Sequence, residues 1–306
     1  MIHEPEFPKG ISPKPALGSV VRSVLGTVDR GKLLPHAIYA AIEAAWKTRD
    51  MRLSWAIFHV ARLSMGGWYH DIRLSDPYTT YSVGGRRPNR PYNLDNFPKL
   101  LWDLISAELG GDSFDGLNVV DIGPAEGFFT LKLAQAGSRV AVIHPRHYFM
   151  TRLKHILTFY GLKDRVTVIT GLYPKVGLRE IRRADLIVCL GLIYHLENLV
   201  EGLRPMLRSK ATLVIESMIY KETFPKNRCG YSEGFDPERH ANDQPVCPVW
   251  LSEHLRTAGY SVKWLDKWRE FSERSGNPRY KTRLDGEFAG LGECITRGAL
   301  IARYHT

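Results

Sequence analysis

Between residues 117 and 216 the chain alternates short apolar runs with segments of helical period, a rhythm that few folds can absorb. The runs at 117–122, 139–143, 166–170, 186–190 and 211–216 are mostly Val, Ile and Leu, as expected of strands buried on both faces. Helix-like segments at 127–135, 147–160, 176–182 and 199–207 separate them. This repetition predicts an α/β fold with a parallel sheet and crossover helices. Ligands of such sheets bind beyond the carboxyl ends of the strands. Here those ends fall at residues 121–127, 144–146, 171–173, 190–195 and 216.

The first of these ends carries the most information. Val120-Asp121-Ile122-Gly123-Pro124-Ala125-Glu126-Gly127 predicts a strand that turns sharply into a helix around two glycines. Glycine takes positive φ at little cost and brings no Cβ, so ligand can come close to backbone, and the helix start beyond offers unpaired N–H groups. Two glycines rather than three, after an acid at the strand end, fit an adenosylmethionine loop better than a dinucleotide loop.

The flanks are less regular. Residues 1–34, with Pro8, Pro13 and Pro15, read as an arm packed on something larger. Helical patterning at 34–47 and 51–63 suggests a hairpin broken at Arg49-Asp50. A loop containing Gly84-Gly85-Arg86-Arg87-Pro88-Asn89-Arg90 suits either an anionic group or a solvated surface. Asp95 or Asn96 caps a helix that runs to Leu109 and stops at Gly110-Gly111. Residues 217–245 break the rhythm and are expected to form an insertion or lid. A helix at 249–258, a strand at 260–268, a polar stretch at 272–285 and a strand at 299–303 close the chain.

Composition narrows the setting. With 306 residues and 44% apolar content the chain can bury a full core, and it has no apolar run long enough to span a membrane. The segment 1–9 lacks the apolar stretch of a secretory signal. Cys189, Cys229, Cys247 and Cys294 are scattered, which argues for a reducing, cytoplasmic compartment. Cys229, His240 and Cys247 share the insertion but match no compact zinc spacing, so no metal is expected. The net charge of +10 favours acidic partners, yet it is spread out, and basic enzymes of small molecules share this profile.

Several motifs together resemble the class I S-adenosylmethionine-dependent methyltransferases and, within them, the tRNA wobble-uridine carboxymethyltransferase family. These are the Asp121–Gly127 loop, Leu190-Gly191-Leu192-Ile193-Tyr194-His195, Leu213-Val214-Ile215-Glu216, Arg297-Gly298-Ala299-Leu300-Ile301-Ala302-Arg303 and, upstream, Trp68-x-His70-x-Ile72. The resemblance implies a Rossmann-like seven-stranded sheet in residues 96–306. An arm, hairpin and loop would occupy 1–95, and 217–247 would be an insertion. It implies S-adenosyl-L-methionine as cofactor, its methionine end held by Asp121, Gly123, Pro124, Ala125, Glu126 and Gly127. Leu190 and Tyr194 would close the site and Arg297 would face an acidic group on the cofactor. His144, Pro145 and Leu172, at the second and third strand ends, would complete the contacts.

The chain departs from this pattern twice. Where the second strand should end in an acid that accepts from both ribose hydroxyls, it has His144, whose ring offers one donor and one acceptor in opposite directions. The Trp- and Lys-rich segment that reads the extra carboxylate of a carboxylated cofactor is replaced by Asn89-Arg90-Pro91-Tyr92-Asn93-Leu94-Asp95. Plain methyl transfer, to a small molecule, is the expectation, with a wobble-uridine tRNA enzyme or a non-catalytic subunit as alternatives. Tyr194 would steer the nucleophile, and His195 or His144 would accept its proton near neutral pH.

Overall fold

A computed structural model describes residues 33–50, 57, 70–75, 78–80, 97–111, 113–220, 236–239, 244–274 and 295–305. Its centre is a seven-stranded sheet built from β1 (Asn118–Ile122), β2 (Arg139–His144), β3 (Val166–Thr170), β4 (Leu186–Leu190), β5 (Thr212–Tyr220), β6 (Tyr260–Trp264) and β7 (Ile295–Tyr304). The spatial order is β3-β2-β1-β4-β5-β7-β6, with β7 antiparallel to both its neighbours and the other pairings parallel. The strand order reverses beside β1, which leaves a crevice at its carboxyl end, the usual place for a ligand in such sheets.

Helices cover both faces. On one, α2 (Phe97–Leu109), α3 (Phe128–Gln135) and α4 (His147–Phe159) bury Leu101, Leu131, Leu153 and Ile156. On the other, α5 (Leu178–Arg182), α6 (Leu199–Ser209) and α7 (Pro248–Thr257) bury Ile181, Leu203, Met206 and Leu255. An earlier helix, α1 (Leu33–Thr48), lies along α4. There Lys154 Nζ reaches Glu43 Oε1 at 2.8 Å, and the Trp46 ring takes the ammonium groups of Lys154 and Lys163 at 5.9 and 5.4 Å.

The alternation read from the sequence is the architecture found, but three boundaries differ by more than two residues. β7 begins at Ile295 rather than at 299. β5 runs on to Tyr220, into the stretch expected to be an insertion, because β7 pairs with it from Leu213 to Tyr220. β6 stops at Trp264 rather than continuing to 268. There the Leu265 N–H donates to Ala299 O at 2.8 Å, and the chain turns into α8 (Asp266–Arg274). α8 escaped sequence reading because Asp266-Lys267-Trp268-Arg269-Glu270-Phe271-Ser272-Glu273-Arg274 is almost wholly polar. Of the expected helix at 51–63 only Ile57 is described, and it is helical and buried. Trp68, the arginine-bearing loop at 84–90, Cys229 and His240 lie outside the described residues. Among the described residues no group of side chains could hold a metal ion, and no helix is long and apolar enough to cross a membrane.

Candidate functional site

In-register pairing lines up the strand ends. Ile122 sits opposite Ile143 and Cys189, His144 opposite Thr170, and Leu190 opposite Glu216. A glycine then turns the chain away and ties it back to the adjacent strand. Gly123 N donates to Ile143 O (2.9 Å), Gly171 N to His144 O (3.1 Å) and Gly191 N to Glu216 O (2.8 Å). These bonds set the loops after β1, β3 and β4 along one edge.

The two glycines of the first loop do different work. Both have positive φ, +78° at Gly123 and +86° at Gly127. A Cβ on Gly123 would meet only the Leu192 side chain, at 3.5 Å, an ordinary contact. A Cβ on Gly127 would collide with Cδ1 of Leu153, a fully buried residue of α4. Gly123 serves the turn, and Gly127 lets the loop settle on the core. Ala125 also takes a positive φ, +50°, unusual for a residue with a Cβ and a mark of a tightly held loop.

Beneath this loop lies a buried charge cluster. Arg152 Nη1 donates to Glu126 Oε1 at 3.0 Å, and both side chains are about 1% exposed or less. His70 Nδ1 stands 3.7 Å from Glu126 Oε2, and the Arg152 guanidinium lies 4.8 Å from the Tyr148 ring centre. Glu126, expected among the cofactor contacts, is buried and accepts from Arg152 of its own chain. Arg152 is a residue that sequence reading missed, since an arginine within a helical period reads as solvated surface.

Asp121 is 2% exposed and accepts from Thr130 Oγ1 at 2.6 Å. Burial pushes its carboxyl up to about 7, against the opposing effect of the Thr130 hydrogen bonds. At the next strand end, His144 Nδ1 accepts from the Arg146 backbone N–H at 2.9 Å. The ring packs edge-on against Phe149, with centres 4.8 Å apart. Burial, then the Arg146 charge, lowers the His144 pKa to about 4. Such a ring is neutral near pH 7 and carries its proton on Nε2, so His144 does not fit the role of proton acceptor. Pro145 is exposed beside it, and Leu172, beyond β3, is an exposed apolar side chain at 54%.

The opposite flank is built by β4, β5 and β7. Arg297 Nε and Nη2 donate to the two carboxylate oxygens of Glu216. The guanidinium lies 5.5 Å from the Tyr194 ring centre and 6.0 Å from that of Phe97. Gly191, φ +70°, leaves the space that brings them together, since a Cβ there would sit 3.3 Å from Arg297 Nη2 and 3.9 Å from the Tyr194 hydroxyl. Tyr194 and His195 occupy a 3-10 turn after β4, their ring centres 4.1 Å apart, with His195 exposed. Leu190, half-buried, ends β4 beside them. Expected to meet an acidic group on a ligand, Arg297 holds Glu216 of its own chain.

Most of the sequence-predicted site residues thus lie around one crevice, with Asp121 and the glycine loop central, His144, Pro145 and Leu172 on one side, and Leu190, Tyr194, His195 and Arg297 on the other. No family model matches the chain, and no curated protein is detectably similar to it in sequence. Solved structures are similar in fold. EvdMO1 superposes with a TM-score of 0.52 at 14% identity, over 81% of this chain and 47% of its own, so the chain spans about half its length. The N-terminal domain of EvdMO1, crystallised in the presence of SAH and D-fucose, gives 0.49 at 13% identity over 80% of this chain and 94% of its own. A SAM-dependent methyltransferase from Geobacter sulfurreducens in complex with S-adenosyl-L-homocysteine gives 0.43 at 15% identity over 71% and 95%. The chain has the Rossmann-like class I methyltransferase fold.

Proposed function

We propose that the protein is an S-adenosylmethionine-dependent methyltransferase whose acceptor, a small molecule, enters on the Tyr194 side of the crevice. The observation that carries this reading is the loop after β1. Gly123 turns tightly at positive φ with room beside it, and a buried acid, Asp121, stands behind. The residues present suit such a cofactor in chemistry as well as place. An acidic acceptor lies near the methionine end, a hydrogen-bonding imidazole where ribose would lie, and the exposed apolar Leu172 where an adenine ring would rest.

When bound, S-adenosylmethionine supplies an electrophilic methyl group on a sulfonium sulfur. The chain's part is to position and to exclude water, since methyl transfer needs an in-line nucleophile at about 3–3.5 Å. Asp121 in its ionised form accepts from an ammonium, and the glycine loop brings backbone to the carboxylate. Tyr194, held beside Arg297 and Glu216, orients the acceptor through its hydroxyl. His195, exposed beside Tyr194, takes the acceptor's proton. A cytoplasmic setting belongs to the same reading, supported by the buried free thiols of Cys189 and Cys247.

A second reading, a tRNA-modifying methyltransferase acting on a wobble uridine, is favoured by one specific feature. Arg179, Arg182, Arg183, Arg204, Arg208 and Arg256 are all exposed along α5, α6, α7 and their ends. The deciding experiment is transfer of labelled methyl from S-adenosylmethionine to a metabolite extract and, separately, to bulk tRNA. Label in the small-molecule fraction is the expected result. Label in tRNA alone would establish the second reading, and label in neither would contradict methyl transfer.

A further inference from the structure

We infer that the nucleoside end of the crevice is inverted in hydrogen-bond polarity, with His144 donating to a ribose oxygen where an acid would accept from ribose hydroxyls. The inference rests on the nucleoside-binding reading above and names what that site selects. It starts from one bond. The Arg146 backbone N–H can only donate, so His144 Nδ1, 2.9 Å away, is the acceptor and holds no proton. A neutral imidazole then carries its hydrogen on Nε2. The ring cannot turn over to offer an acceptor without breaking that bond. Nε2 has no hydrogen-bond partner among the described residues.

The surroundings reinforce the same polarity. From Arg139 to Lys163 the chain contains no acid, and Arg146 and His147 are exposed beside His144. The acid found nearby, Asp121, accepts from Thr130, and Glu126 is bound to Arg152 below the loop. A ribose in this position meets a donor and loses the acceptor that would read its O–H groups as donors. The ligand class the site takes is therefore a nucleoside whose ribose presents oxygen lone pairs, whether or not that oxygen carries a hydrogen. A carboxylate at the same place would reject a ribose with a capped hydroxyl, because an ether oxygen has nothing to donate.

The test uses the full chain and titrates S-adenosylhomocysteine and its 2′-O-methyl and 3′-O-methyl ethers into the wild type, His144→Asn and His144→Asp by calorimetry. Wild type is expected to bind at least one ether within about threefold of the parent, as one retained neutral hydrogen bond allows. His144→Asn, which keeps an N–H donor, should follow the wild-type pattern. His144→Asp, of the same size but acceptor-only, should bind the parent at least as tightly and lose about tenfold or more on both ethers. Losses of tenfold or more on both ethers in the wild type would overturn the inference, and this arm stands whether or not the aspartate variant folds. Failure of wild type to bind the parent at all would overturn it together with the nucleoside-binding reading, a result distinct from the ether loss.

Discussion

Under the proposed function, Asp121 would tie folding to ligand binding through one proton. Its carboxyl is fully buried, and burial raises its pKa from 3.8 to about 7. The folded state thus holds a proton that the unfolded chain gives up, so this group's contribution to stability is complete below about pH 4 and is lost as pH rises through 7. A ligand ammonium reverses the preference, since only the ionised form pairs with it. Affinity for S-adenosylhomocysteine should therefore rise from pH 6 to pH 8, and Asp121→Asn should flatten the profile. Calorimetry across that range checks both, and an equally steep profile in the asparagine variant would remove Asp121 from the role. His144 was legible from the sequence as an anomaly, a histidine in an acid's position, but its donor direction was not. That direction depends on Arg146 N, two residues on, and on the turn that aims it.

The elements were most legible where the sequence carries a continuous apolar run and least so where pairing with a distant strand decides their extent. β4 appears at the residues read from the sequence, because a run of Leu, Ile and Val inside a parallel sheet leaves little else for it to form. β5 outran its expected end because Ser217 and Tyr220 look like loop residues until β7, some eighty positions later, pairs with them. Trp268 anchors α8 in the core. Trp268 is fully buried and packs edge-on against Phe97, with ring centres 4.0 Å apart. Phe97 in turn neighbours the Arg297 guanidinium, so the helix braces the site from behind. Trp268→Ala should cost about 3–5 kcal/mol, as large core truncations do. Denaturant unfolding measures this, and a loss below about 1 kcal/mol would show that α8 is not anchored in the core.

At the scale of the whole molecule, a buried sheet places three glycine-turned strand ends along one edge, and the charge pattern divides the rest. Of the net +10, residues 116–306 hold 28 basic against 20 acidic side chains, and six exposed arginines lie along α5–α7 and their ends. Two ion pairs near the loop are internally balanced, Arg297 with Glu216 and the buried Arg152 with Glu126. Composition alone could not separate these, because a sum of charges does not say which are paired. The central claim is that the Asp121–Gly127 loop binds the methionine end of the cofactor. Gly123 tests it better than Gly127, whose substitution would drive a side chain into Leu153 and disturb the core. The most direct measurement is calorimetric titration of S-adenosylhomocysteine into wild type and Gly123→Val, with melting curves alongside. One-site binding by the wild type is expected, with loss of about a hundredfold or more in a variant that still melts cooperatively. Equal affinity in the two proteins, or no binding by the wild type, would contradict it.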